Sequence, residues 1–326
     1  MICNSEKKMS DTRLSVGLAQ IAPIWLNRDA TIEKVLGWIE NSAREGCSLV
    51  VFGEALIPGY PFWVERTEGA KFESELQKSL YAHYASQSVS LDDGDLETIC
   101  AAARSHSIAV YVGVIERAGD RGGHSLYCSM VYIDAKGVIG SVHRKLMPTH
   151  EERLVWAIGD GNGLRTHRLG PFTAGGLNCW ENWLPLARAS LYAQGEDLHV
   201  AIWPGSVRNT EEITRFIARE SRSYVISVSG LMRKTDIGAD LPHADLLTDV
   251  ADDLMANGGS CVAAPNGDWL LEPQSGDESL YIVELDHQMV LKERQSLDVA
   301  GHYSRPDVTR LIVNRKRQTT AEFSDE

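Results

Sequence analysis

Residues 173–195 read TAGGLNCWENWLPLARASLYAQG, and the reading of this stretch decides the class of fold. The short Gly-rich apolar segment before Cys179 fits a strand, and residues 184–194 carry a helical pattern. A strand that feeds a helix is the repeating unit of α/β architecture. Cys179 stands at the joint, where backbone N–H groups lower a thiol's pKa and can form an oxyanion hole. Taken alone, a free cysteine is also a small buried hydrophobe, the reading given to Cys47, Cys100 and Cys261.

Working outward, strand and helix keep alternating. Residues 14–20 alternate apolar and small or polar side chains, and residues 31–43 place Ile32, Val35, Leu36 and Ile39 at helical spacing. An apolar run at 48–52 ends at Gly53-Glu54, and a helix over 96–106 precedes the apolar run 108–115. Residues 125–134 and 138–144 flank Ala135-Lys136-Gly137 as a hairpin. Beyond Cys179 come a strand at 198–203, a helix at 211–222 and a strand at 224–229. Strand-like pieces follow at 261–264, 269–271 and 280–285, and the turn residues between them suggest antiparallel pairing. The expectation is one α/β domain with a mixed sheet over residues 13–314, an N-terminal extension at 1–12 and a C-terminal tail at 315–326, frayed from 321. The polar stretch 236–257 reads as a lid or interface segment.

Composition narrows the partners. The 326 residues are 43% hydrophobic with a formal net charge of -13. That charge argues against a nucleic-acid or anionic-membrane binder, since both need basic patches. A small-molecule partner is the default. The six cysteines are scattered singly without a C-x-x-C pair, which reads as free thiols in a reducing compartment and offers no ligand-spaced metal set. No run approaches the ~18 apolar residues of a membrane span, and MICNSEKKMSD lacks the apolar stretch of a signal peptide. A soluble, cytoplasmic protein is expected, with Met1 or Met9 as the natural start.

Three stretches put a reactive side chain at the end of a strand, where α/β sheets expose their sites. In VVFGEALIPGYPFW, Glu54 follows a buried-looking strand, where partial desolvation raises a carboxylate's pKa and makes it a better base. The bland alternative is a solvated loop glutamate. In HRKLMPTHEERLVWAIGDGNGL, Lys145 closes the hairpin, where a cation can stabilise a tetrahedral intermediate and hold a nucleophile ionised. Alone it is a surface charge. The Gly159–Gly163 part of that stretch lacks the Gly-Lys-Ser/Thr ending of a phosphate loop and carries an acidic residue. Cys179 completes the set.

Together these stretches resemble the nitrilase superfamily, whose members carry a Glu, a Lys and a Cys in that chain order. The resemblance runs from about Leu14 to GHYSRPDV at 301–308, and within the superfamily Cys-Trp-Glu-Asn, RKLMPTHEERLVW and GHYSRPDV are similar to true nitrilases and cyanide-converting relatives. It implies a four-layer αββα sandwich that dimerises through helices and often assembles into spirals. It also implies Glu54 as general base, Lys145 as stabilising cation, Cys179 as nucleophile, and Glu152 as a second carboxylate that helps position substrate. Glu152 rather than Glu151 fits the Pro-Thr-x-x-Glu-Arg pattern. Gly53, Cys128 and Ala157 depart from the usual pattern, and Cys128 replaces a common Asn.

The reaction so implied converts an organic nitrile and water to a carboxylic acid and ammonia through a thioimidate and a thioester, with no metal or organic cofactor. The Trp180 backbone N–H would help stabilise the developing charge. Tyr60, Trp180, Trp183 and Trp203, with Trp63, lie in or near loops that would surround the site, as pocket walls or as ordinary packing. The rival readings are an amidase or N-carbamoyl hydrolase using the same residues, and an inactive binding protein. With a short tail after Val308, a homodimer or small oligomer is expected.

Overall fold

The computed structural model describes residues 12–321 and Ser324. Apart from Thr12, the proposed N-terminal extension and the choice of start lie outside the described residues, as does most of the frayed end.

The elements in chain order are β1 (Arg13–Gln20), α1 (Arg28–Arg44), β2 (Leu49–Phe52), α2 (Trp63–Arg66), α3 (Glu75–Gln87), α4 (Glu97–His106), β3 (Ala109–Arg117), β4 (Leu126–Ile133), β5 (Ile139–Arg144), β6 (His167–Leu169), β7 (Phe172–Asn178) and α5 (Pro185–Tyr192). There follow β8 (Leu198–Trp203), α6 (Val207–Ser221), β9 (Tyr224–Ser229), β10 (Leu231–Arg233), α7 (Ala244–Val250), β11 (Leu254–Ala263), β12 (Trp269–Ser275), β13 (Ser279–Asp286) and α8 (His287–Arg294). They form two sheets, not the single mixed sheet read from the alternation. One has the order β13-β1-β2-β3-β4-β5, the other β10-β11-β9-β8-β7-β6, with β12 also on β11. The central strands of each run parallel: β1, β2 and β3 in one, β7, β8 and β9 in the other.

The central strands are apolar on both faces, so each sheet must be covered twice. On the inner faces, Leu49, Val51 and Tyr111 of the first sheet pack with Val200, Ile202, Ile226 and Val228 of the second. On the outer face of the first sheet, Val50, Phe52 and Val110 meet Ile32, Val35 and Ile39 of α1 and Ile99 of α4. Outside the second, Ala201, Trp203 and Val225 meet Ile213 and Ile217 of α6. The layers are therefore αββα, as the resemblance implied.

Most elements fall where the periodicity puts them, with two corrections. The turn residues at 274–277 do not form a hairpin: β13 leaves the second sheet and lies antiparallel to β1 along its whole length, from Arg13 opposite Asp286 to Gln20 opposite Ser279. Its partner lies more than two hundred residues away in sequence, beyond the reach of local turn chemistry. The polar stretch 236–257 is not loose. It contains α7 and the start of β11, and Leu241 and Leu247 are buried with Trp25, Trp63 and Tyr84. Within the expected tail, Arg317 and the Gln318 N–H donate to Asp160 at 3.0 and 2.9 Å, and Asn162 donates to the Arg315 carbonyl at 3.1 Å.

Candidate active site

The two sheets bring three strand ends together. Glu54 lies just past β2, and its N–H donates to the carbonyl of Trp203 at the end of β8, 3.1 Å away in the other sheet. Lys145 directly follows β5. Its N–H donates to the Cys128 carbonyl at 2.8 Å, and its own carbonyl accepts the Gly159 N–H at 2.9 Å. Cys179 follows β7 at φ +47°, a left-handed conformation unusual for a side-chain-bearing residue, and opens a 3₁₀ turn over Cys179–Trp183. The Glu181 carboxylate reaches back across that turn and accepts the Asn178 N–H at 2.9 Å, while the Asn178 side-chain amide donates to the His143 carbonyl at 3.4 Å.

Lys145 Nζ lies 2.9 Å from Glu54 Oε1 and 2.7 Å from Glu152 Oε2. A carboxylate oxygen of Glu54, one of Glu152 and the Cys179 sulfur all fall within 4.8 Å of one another. These are metal-ligand types, but the ammonium already stands between both carboxylates, in the position a cation would need. All four side chains are buried, with no residue more than 3% exposed. Glu152 sits in a 3₁₀ turn capped by Thr149, and the Tyr60 hydroxyl lies 3.0 Å from its Oε1.

Burial sets the proton balance. It pushes Glu54 up to about 7, with the attraction of Lys145 opposing. It also pushes the Cys179 thiol well above its ordinary value, reinforced by the Glu54 carboxylate, while Lys145 and the Trp180 N–H pull the other way. The backbone effect expected at the joint is present but outweighed, so the resting sulfur is a thiol beside a carboxylate that can take its proton. For Lys145, burial favours loss of charge, but the negative groups around it prevail and raise its pKa well above the usual lysine value. Chemically, the cluster can supply a thiol, a proton acceptor poised near neutrality and a fixed cation.

The aromatic residues divide. Tyr60 borders the group and packs edge-on to Trp156, whose ring lies 5.5 Å from Lys145 Nζ. Trp203 is wholly buried, packs in the same cluster as Cys179 and donates its indole N–H to Ser227 at 3.3 Å. Trp63 is core, 4.8 Å from the Tyr84 ring. Trp180 and Trp183 are 47% and 41% exposed. Trp156, Glu181 and Asn182 were in the quoted motifs without a role. Asn182 donates to the Cys179 carbonyl at 2.8 Å, and its own oxygen lies 2.7 Å from Nε2 of the buried His199. Nothing in local sequence marks such a contact.

The family model described as carbon-nitrogen hydrolase matches residues 15–295. An aliphatic nitrilase of Rhodococcus rhodochrous is 33% identical over 99% of this chain and 85% of its own. A second relative, nitrilase 2 of an unknown prokaryotic organism, is 33% identical over 96% of each chain. Among solved structures, a carbon-nitrogen hydrolase from Helicobacter pylori G27 superposes with a TM-score of 0.65 at 19% identity, covering 92% of this chain and 100% of that one. The agreement of fold, strand-end geometry and near-full-length similarity places this chain in the carbon-nitrogen hydrolase family.

Proposed function

We propose that the chain is a nitrilase, hydrolysing an organic nitrile with two waters to a carboxylic acid and ammonia. What carries the reading is the meeting of Cys179, Glu54 and Glu152 within 4.8 Å around the Lys145 ammonium, in a chain similar over nearly its whole length to an aliphatic nitrilase. Glu54 takes the Cys179 proton as sulfur attacks the nitrile carbon, and the proton passes to nitrogen, giving a thioimidate. Lys145 and the Trp180 N–H stabilise the negative charge that develops. Water activated by Glu54 adds to the thioimidate carbon, ammonia leaves, and a thioester remains. A second water cleaves it, releasing the acid and restoring the thiol. Glu152 holds Lys145 in place, and Tyr60, Trp180, Trp183 and Trp203 shape the surroundings of the nitrile.

The five described cysteines are free, which supports a reducing, cytoplasmic setting. Exposed Leu186 on α5 and Phe216 on α6, with Arg188 of α5 paired to Glu220 of α6 at 2.8 Å, support a homodimer formed on this helical face. Light scattering tests the assembly. The reaction is tested by incubating the protein with aliphatic, arylaliphatic and aromatic nitriles and, separately, amides, with acid, amide and ammonia measured. Acid from a nitrile, lost in Cys179→Ala and nearly lost in Cys179→Ser, is expected. Turnover of amides alone would make it an amidase, and full activity in either variant would remove Cys179 from the mechanism.

A further inference from the structure

Cys128 of β4 touches both halves of the catalytic group. Its sulfur lies 3.5 Å from Glu54 Oε1, within range of an S–H donor, and its carbonyl accepts the Lys145 N–H at 2.8 Å. Lys145 Nζ also approaches Glu54 Oε1, at 2.9 Å. Both neighbours therefore converge on one oxygen, whereas Glu54 Oε2 is buried without a hydrogen-bond partner among the described residues. A buried acceptor in that state is costly unless something is delivered to it.

We propose that Cys128 is a positioning residue that, with Lys145, fixes Glu54 Oε1 and so assigns Oε2 as the oxygen that receives the proton. This rests on the reading of Glu54 as the base. Cys128 is suited to donate rather than attack: burial and the Glu54 carboxylate hold its thiol well above the usual range, so it stays protonated across the working pH. An S–H donor stabilises the ionised carboxylate only weakly, and a hydroxyl at the same place does so more strongly. The side chain at 128 thereby sets how much of Glu54 is ionised at a given pH.

The groups facing Glu54 are Lys145 after β5, Glu152 of the 3₁₀ turn, Cys128 of β4, Cys179 after β7, and the hydroxyls of Tyr60 and Tyr84. Unlike Lys145, Glu152 and Cys179, Cys128 can be changed without altering a charge or a reacting atom, and unlike the two tyrosines, whose hydroxyls bond Glu152 and the Gly59 carbonyl, it lies within hydrogen-bond range of Glu54 itself. The test is the pH dependence of kcat/KM for a nitrile in the intact enzyme. Cys128→Ala should move the acid limb upward by about half a pH unit, roughly a threefold loss on the limb, and Cys128→Ser should move it downward. Should Cys128→Ala fail to fold, Cys128→Ser and the pH dependence of Cys179 alkylation by iodoacetamide in that variant carry the test. Parental acid limbs in the Cys128 variants, with a limb that still moves in Glu54→Asp, would overturn the role of Cys128 alone. A limb indifferent to Glu54→Asp as well would overturn Glu54 as the base.

Discussion

The Glu181 carboxylate accepts the backbone N–H of Leu146 at 2.6 Å, so the turn that carries Cys179 is fastened to the residue beside Lys145. The same carboxylate holds the Asn178 N–H at 2.9 Å and lies 3.1 Å from His143 Nε2. Burial alone would raise its pKa, but His143 and these N–H donors prevail and hold it below the ordinary value. A group depressed in the folded state stabilises above its unfolded pKa, and the gain is lost as pH falls through the folded one. Glu181→Ala should cost about 3 kcal/mol in urea unfolding at pH 7, with less cost in acid, and should lower kcat by ~100-fold through misplacement of Cys179 against Lys145.

Two glycines set the backbones of Glu54 and Lys145. A Cβ on Gly113 would lie 2.3 Å from the Gly53 carbonyl oxygen and 2.7 Å from Glu54 Cα, and one on Gly159 would lie 2.5 Å from the Lys145 carbonyl oxygen. These are backbone atoms with no rotamer to yield. Gly113→Ala and Gly159→Ala should each lose about 1–3 kcal/mol and most of kcat, whereas Gly37→Ala, where nothing lies within 4 Å, should gain stability. Thermal unfolding alongside nitrile turnover separates the sites.

Glu54, raised to about 7, should impose an acid limb on kcat/KM, with activity falling as pH drops through that value. Its effect on stability has the opposite sign. A carboxyl whose folded pKa is raised favours the folded state below its unfolded pKa, and that contribution disappears as pH rises through about 7. Glu54→Gln should therefore be inactive at every pH, and its stability relative to the parent should improve between pH 5 and pH 8. Denaturant titrations at both values check the trend; a flat difference would contradict it.

Arg317 clasps the nearly buried Asp160 at 3.0 Å and lies 3.8 Å from Asp120. Asp160 adjoins Gly159, whose N–H holds the Lys145 carbonyl at 2.9 Å. Arg317→Ala should lower stability by about 1–3 kcal/mol and reduce kcat with it, and removal of residues 315–326 should do the same. Urea midpoints and initial rates of the two variants test the coupling.

The alternation around Cys179, Glu54 and Lys145 was legible because each side chain follows a strand with its own mark in sequence: a continuous apolar run before Glu54, a Gly-rich apolar segment before Cys179, and the second arm of a hairpin set by its turn residues before Lys145. The division into two sheets was not. Val50 and Val51 are neighbours in the chain but face different layers, and both layers are apolar, so nothing in the residues names the partner of either face. β13 escaped for a related reason: its turn chemistry suggested the strand before it, while its register belongs to β1. In the site, residue types at strand ends pointed to the chemistry. The Glu181 to Leu146 and Asn182 to Cys179 bonds join a side chain to a main-chain group, and main-chain groups leave no mark in sequence.

Glu54 and Lys145 hang from one sheet and Cys179 from the other. On the proposed mechanism no half of the molecule contains a working site, and turnover is a gauge of how well the two sheets are seated. A slip of one sheet over the other by a fraction of a residue would leave every strand and helix intact and separate the thiol from its base. Catalytic competence is thus a property of the seam between the sheets, and inactivation can precede any loss of secondary structure.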